Sequence, residues 1–157
     1  MKEFKSLKAL KDFLDKSVKS ALSDEPPKAV KNLMRKHILR DVYMVYKPEK
    51  YVRRYNDNGL WDIRNIKVDH TGSNTLEIYN DTKRNIRFRD EYLTPLIEFG
   101  HLKAKAKGYR GYTFPNPKKE YYNARPFTEN TRKSLAKNKS HVKAFQQSLK
   151  KLGIKTE

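Results

Sequence analysis

The chain has no cysteine among its 157 residues. Disulfides and thiolate metal sites are excluded, and with them the staples of most small extracellular domains, so the expectation is assembly in a reducing cytoplasm. It also lacks any apolar run near the ~20 residues that a membrane helix needs. Its charged start, from Met1 to Lys8, has no apolar h-region, and the sequence predicts a protein neither exported nor membrane-spanning. Glycine is scarce, with 6 residues scattered and none in a Walker or dinucleotide spacing, which argues against nucleotide use. Internal repeats and low-complexity tracts are absent. Acidic residues are few, 18 against 36 Lys and Arg, and only 36% of residues are hydrophobic while 34% are charged. Much of such a chain must be surface, or must be covered by partners.

What is present is a net charge of +18 with an uneven distribution. Residues 1–50 carry 13 cations against 7 anions, residues 51–100 carry 8 against 8, and residues 101–157 carry 15 against 3. A field of this kind attracts polyanions, and nucleic acid is the commonest, because neutralised phosphates release condensed counterions. A basic tail facing an acidic protein neighbour explains the same excess, and the two readings stand level.

Along the chain, Leu7, Leu10, Phe13, Leu14, Val18, Ala21 and Leu22 recur at helical steps after Ser6, a candidate N-cap. The segment from Ser23 to Pro27 breaks that helix, since its two prolines cannot donate to a ladder. A second helix is predicted from about Pro27 to Val45, with Val30, Leu33, Met34, Ile38 and Val42 on one side, followed by a turn at Lys47 to Lys50. The middle third changes period. Ile63 to Asp69 alternates, His70 to Asn74 is a Gly-containing loop, and Thr75 to Asn80 alternates again, which reads as a β-hairpin. Asn85 to Arg89 is a weaker strand candidate, and Leu93 to Phe99 reads as a helical turn entering at Pro95. Residues 103–119 form a basic loop with a candidate hairpin around Tyr109 to Phe114. Trp61 is read as a core anchor on its large apolar area.

Signals for catalysis are thin. His37, His70, His101 and His141 have no His or Cys partner at ligand spacing, so neither a transition metal nor another cofactor is expected. A Ser-His-acid arrangement is spatial and leaves no spacing to read. Asp90, Glu91, Glu98 and His101 form the one acidic cluster near a histidine, but pairing of Asp90 and Glu91 with Arg87 and Arg89 accounts for it better than nuclease chemistry does. The chain is expected not to be an enzyme. In the basic loop, Lys103, Lys105, Lys107, Arg110, Lys118 and Lys119 interleave with Tyr109, Tyr112, Phe114, Tyr121 and Tyr122. Cations with stackable rings suit a single-stranded nucleic-acid groove or a protein interface, and the interface is preferred.

The last third holds the most informative stretch. Pro126 fixes its own φ and makes Arg125 extended, so a helix can start just after Phe127, with Thr128 as the candidate N-cap and Glu129 in the first turn. After a break at Asn138 to Ser140, Ser140 can cap a final helix bearing Val142, Phe145, Leu149 and Leu152 on one face until Gly153 ends it. An extended arginine points in a defined direction, and Arg125 is expected to pair with a carboxylate, within the fold or across a subunit boundary.

Glu98-Phe99-Gly100 followed by a loop and then Ala124-Arg125-Pro126-Phe127, together with Asp41-Val42-Tyr43, Tyr46, Pro48 and Tyr51, resembles the tail-completion or head-tail joining (neck) proteins of long-tailed bacteriophages in their Gram-positive-phage form. The resemblance spans most of the chain. It departs at Arg53 to Gly59, where relatives carry a compact Arg-Thr-Gly type turn. It implies a structural virion protein that forms a homo-oligomeric ring, six copies favoured over twelve, between the head connector and the tail terminator or tail tube, with DNA passing through the lumen. Virion assembly in the bacterial host cytoplasm and no membrane partner follow from it. Interface residues on this reading are Glu98, Phe99, Arg125, Phe127, Val142, Phe145 and Leu149, while the loop cations meet DNA or an acidic partner. The predicted fold class is α+β in one domain: helices over 1–46 packed on a small antiparallel sheet within 47–100, a long basic loop over 101–123, and a helical tail over 124–157. The runner-up is a basic nucleic-acid-binding module of ribosomal or DNA-compacting type.

Overall fold

A computed structural model describes residues 4–45, 47, 52–72, 74–84, 91–100 and 123–156. The basic segment 101–122 lies outside them, as do the strand candidate at 85–89 and the hairpin candidate at 109–114. The architecture is α+β. Helix α1 (Leu7–Ser23) and helix α2 (Glu25–His37) run into a π-helical turn (Ile38–Tyr43); a 3-10 turn (Ile63–Asn65) leads into strands β1 (Ile66–His70) and β2 (Leu76–Asn80). Short strands β3 (Lys83–Arg84) and β4 (Glu91–Tyr92) precede α3 (Leu93–Phe99), and the chain closes with α4 (Phe127–Asn138) and α5 (Ser140–Lys151).

The local signals act mostly as the sequence predicts. Ser6 caps α1, its hydroxyl accepting from the Ala9 amide at 3.1 Å. Gly153, at φ 79°, ends α5 in a complete Schellman motif, with its N–H on the Lys150 carbonyl and the Ile154 N–H on that of Leu149, both at 3.0 Å. The prolines behave differently. The break between α1 and α2 is Asp24 alone, and Pro26 and Pro27 lie inside the first turn of α2, where their missing N–H groups have no intrahelical carbonyl to reach. Helix α2 also changes winding at Ile38, and the Met44 N–H reaches back five residues to the Leu39 carbonyl. Ile38 and Val42 enter the core from this turn, and Asp41 faces His37 at the same four-residue spacing.

The hairpin pairs Ile66 with Asn80, Val68 with Ile78 and His70 with Leu76. Ile63 to Asn65 is helical, not extended as the alternation predicts, because the Asp62 carboxylate accepts from the Arg64 amide and turns the chain. The hydrophobic core gathers Met34, Ile38, Val42, Leu60, Ile66 and Phe127, with Tyr43, Trp61, Ile78 and Ile97 packed against it. Helix α2 is the hub of the helical layer and packs on α1, α4 and α5, while α5 also packs on α1. The inward residues of α1 and α5 are small. Ser17 and Ala21 are buried on α1, and Ala144 and Ser148 on α5. Leu7 and Leu14, predicted on the inner face of α1, are 86% and 42% exposed, since close approach of the helices selects the small residues instead.

Beneath the hairpin, buried polar groups converge on the loop at Gly59. Its carbonyl accepts from the Asp62 amide, the Asn65 amide group and, at 3.4 Å, the Thr82 hydroxyl. Asn80 donates to the Leu60 carbonyl at 2.8 Å, and the Thr94 hydroxyl donates to the Asn80 carbonyl at 2.9 Å, which fixes α3 to the hairpin. A Cβ at Gly59 would stand 1.2 Å from the Arg54 carbonyl oxygen. Gly59→Ala is therefore expected to destabilise the fold by more than about 3 kcal/mol, read as a lowered urea midpoint or as failure to fold. Asp62, 3% exposed, accepts from the Arg64 guanidinium and from the Arg64 and Asn58 amides, and these bonds hold its carboxyl well below the usual range. A depressed carboxyl contributes stability above its unfolded pKa of about 3.9 and loses it as pH falls toward the folded value. The urea midpoint should thus drop on acidification from pH 5 to pH 3, and less steeply in Asp62→Asn.

Candidate functional site

The elbow between α3 and α4 brings three of the seven predicted interface residues, Glu98, Arg125 and Phe127, together within the chain. The Arg125 N–H donates to the Ile97 carbonyl at 2.8 Å. Pro126, at φ −77° and ψ 63°, makes an inverse γ-turn, closed by the Phe127 N–H on the Arg125 carbonyl at 2.8 Å. The Glu98 carboxylate then accepts from the Thr128 and Glu129 amides, each at 3.0 Å. With the Asn130 N–H on the Pro126 carbonyl, the amides of residues 127–130 are all satisfied. This corrects the expected N-cap. Thr128 is the second helical residue, and the cap is a carboxylate supplied by another helix. Phe127 is 0% exposed and anchors the elbow in the core, and Arg125 is 8% exposed.

The last helix is also committed. Its Ala144 and Ser148 face packs on α1 and α2. The Ser148 hydroxyl accepts from the Glu25 N–H at 3.3 Å, while Lys151 pairs with Glu25 at 2.7 Å and with Asp24 at 3.1 Å. The helical tail is therefore folded back on the N-terminal helices. Phe145 and Leu149 are half-buried at that contact; Val142 and Leu152 remain 40% and 37% exposed. The corner before α5 is a single residue, Lys139, in the left-handed region at φ 52°. Ser140 is not its cap: the Asn138 side chain accepts from the Ser140 N–H at 2.9 Å.

Sequence reasoning missed a buried network at His37. Its Nδ1 lies 2.9 Å from Asp41 Oδ2 and its Nε2 2.8 Å from Ser134 Oγ, and Asn130 Nδ2 donates to the same Asp41 oxygen at 2.9 Å. Arg40 Nη2 approaches His37 Nδ1 at 2.9 Å. Burial works to raise the Asp41 carboxyl, but hydrogen bonds from Arg40, Asn130 and His37 bring it below its ordinary value. The linkage is that of a Ser-His-Asp triad. It ties the C-terminal part of α2 and the turn after it to α4, where Ser134 sits in mid-helix and its neighbouring N–H groups serve the helix. The signal was present in His37 and Asp41, four residues apart, but the partners on α4 follow only from tertiary packing.

A second missed feature is an aromatic and arginine surface beyond the π-helical turn. The Arg35 guanidinium lies 3.6 Å from the Trp61 ring centroid, and its Nε donates to the Trp61 carbonyl at 3.1 Å. Tyr55 stands edge-on to Tyr43, with centroids 4.9 Å apart, and edge-on to Trp61 at 6.5 Å. Arg53 lies over the Tyr43 ring and donates to the Tyr43 carbonyl. Trp61 is half-buried against the core. Close in sequence to Tyr43 and Arg53, large apolar side chains are exposed, Val52 at 92%, Met44 at 74% and Val45 at 59%, with Tyr55 at 46%. An open groove of about 570 Å³ elsewhere, lined by Asp24, Lys28, Lys31, Asn32, Val68 and His70, holds no convergent set of catalytic groups.

Lys103, Lys105, Lys107, Arg110, Lys118 and Lys119, together with Asp90, His101 and the side chain of Glu91, lie outside the described residues. Among the described residues no group of three or more His, Asp or Glu side chains could hold a metal ion. No described helix is long and apolar enough to cross a membrane.

Removing the trans cap gives a direct test. Glu98→Gln keeps one acceptor but loses the charge and the second acceptor, and a loss of about 1–3 kcal/mol is expected. At roughly 2–4 °C per kcal/mol for a chain of this size, the melting temperature should fall by about 2–12 °C.

A family model described as YomN matches residues 6–151 of the chain. No curated protein and no solved structure matches it.

Proposed function

The chain belongs to the YomN family, a phage-related family, and from that premise we propose that it is a structural virion protein of the phage neck. Copies form a closed ring between the head connector and the tail terminator or tube, assembled in the host cytoplasm, through which DNA passes. Six copies match the tail's symmetry. The observation that carries this reading is a set of exposed apolar side chains, Leu39, Met44, Val45, Val52 and Tyr55, close in sequence to an aromatic cluster of Tyr43, Tyr55 and Trp61 on which Arg35 and Arg53 lie. Aromatic residues, Met and Arg are the types enriched where proteins meet, and a ring requires each copy to present two different complementary surfaces. The rigid elbow supports the same reading, because it holds α4 and α5 in one orientation relative to that surface.

Light scattering on the purified protein tests it. A closed oligomer is expected, and Val52→Asp or Tyr55→Ala should shift it toward monomer. Val52 is 92% exposed, so the melting temperature of that dissociated variant should change little. A monomer at all concentrations, alone and with purified connector and tail proteins, would count against the ring.

A further inference from the structure

The outward face of the C-terminal helix pair is charged in a way that the aromatic surface is not. Between Phe127 and Lys151 there are seven cations and one acid, Glu129. Glu129 is occupied by Arg132 at 2.8 Å and Lys133 at 3.8 Å, and Lys151 is held by Asp24 and Glu25. Lys137, Lys139, Lys143 and Lys150 are exposed and have no ion-pair partner among the described residues.

Their placement is fixed by the fold. Lys143 and Lys150 are seven residues apart on α5, two turns along one face and about 10 Å from each other. Lys137 is in the last turn of α4, and Lys139 is the left-handed corner residue between the two helices. The Schellman motif at Gly153 and the Ser148 bond to Glu25 hold α5 still, so these charges stand on a rigid frame.

We propose that this face is a contact surface for the phosphate backbone of duplex DNA. Two features choose DNA over an acidic protein. Six of the seven cations are lysines, the residue depleted from protein interfaces, and no aromatic residue between 127 and 151 is exposed. A phosphate backbone needs only positioned positive charge, and lysine supplies it as a point charge without the planar fork that bidentate recognition uses. The contact is therefore sequence-independent. The inference stands on the charge geometry and does not depend on ring formation.

The test is fluorescence anisotropy of the full chain with a labelled duplex of arbitrary sequence, from ~50 to ~200 mM salt. The variant carries Lys137→Gln, Lys139→Gln, Lys143→Gln and Lys150→Gln together. Binding by the wild type is expected at the low end, and the slope of log affinity against log salt should be shallower by about 3–4 in the variant, close to 0.9 per lost phosphate contact. Any contribution from residues 101–122 is common to both proteins and drops out of that difference. An unchanged slope, or no binding at ~50 mM salt, overturns the proposal. Equal displacement of the duplex by polyglutamate at matched charge would assign the face to an acidic protein and overturn it too. Circular dichroism of the variant confirms folding, and light scattering on the same samples reads the oligomer separately, so loss of the ring and loss of DNA contact are distinguishable.

Discussion

The fold depends on a helix that does not cap itself. Helix α4 begins at a proline-set γ-turn, and that turn places a large aromatic residue at the first helical position and leaves two amides pointing outward. Glu98, about thirty residues earlier in sequence, closes both. The carboxylate also faces the positive end of the helix dipole, which adds a favourable charge interaction to the two bonds. Because Glu98 lies on α3, and α3 is tied to the hairpin through Thr94 and Leu93, the cap passes the geometry of the sheet to the C-terminal helices. Phe127 completes the joint: fully burying such a side chain contributes about 1.5–3 kcal/mol, and here it draws α4 onto Met34, Ile38 and Leu60. An elbow built this way has little freedom to swing, since moving α4 would expose Phe127 and strand two amides at once.

Legibility from sequence followed the range of the interactions. Ser6, Gly153 and Pro126 rest on bonds within a few residues, and each could be read from local residue types; the hairpin was read from its alternation, though not its register. The misses share a different property. Thr128 looked like a cap because its competitor, Glu98, is distant in sequence. Ser148 carries no local signal for its partner, yet it accepts the first amide of α2 across 123 residues. His37 and Asp41 carried a readable four-residue spacing, but Ser134 and Asn130 became partners only when α4 packed on α2. Apolar periodicity misled for a related reason. On α1 and α5 it chose the large residues, whereas helices that approach closely bury the small ones, so Leu7, Leu14 and Val142 were left at the surface.

The surface divides by residue type. Beyond the π-helical turn lie methionine, valine, tyrosine and arginine around Trp61. On α4 and α5 lie lysines with almost no acid and no exposed ring. The first composition gains free energy by excluding water from a fitted neighbour, and it is specific because guanidinium and phenol groups must find partners. The second gains by releasing counterions and is indifferent to detail. On the proposed reading, a protein that joins other proteins around a moving polymer would need both, one surface that holds its position and one that does not arrest the strand.

The return of α5 onto α1 and α2 decides how such a protein could assemble. A free arm would have to be ordered on docking, at about 0.5–1.5 kcal/mol for each immobilised flexible side chain plus the backbone cost. Here that ordering has already occurred within the chain, through Ser148, Lys151 and the buried Ala144 face. Helices α1 and α5, near the two ends of the described chain, are thus packed in one helical layer with α2. Rigid surfaces lose less entropy when they meet and tolerate less error in shape. A ring made from them would close at one number of copies, because the angle between neighbours is set by packed helices and a capped elbow, not by a flexible tail.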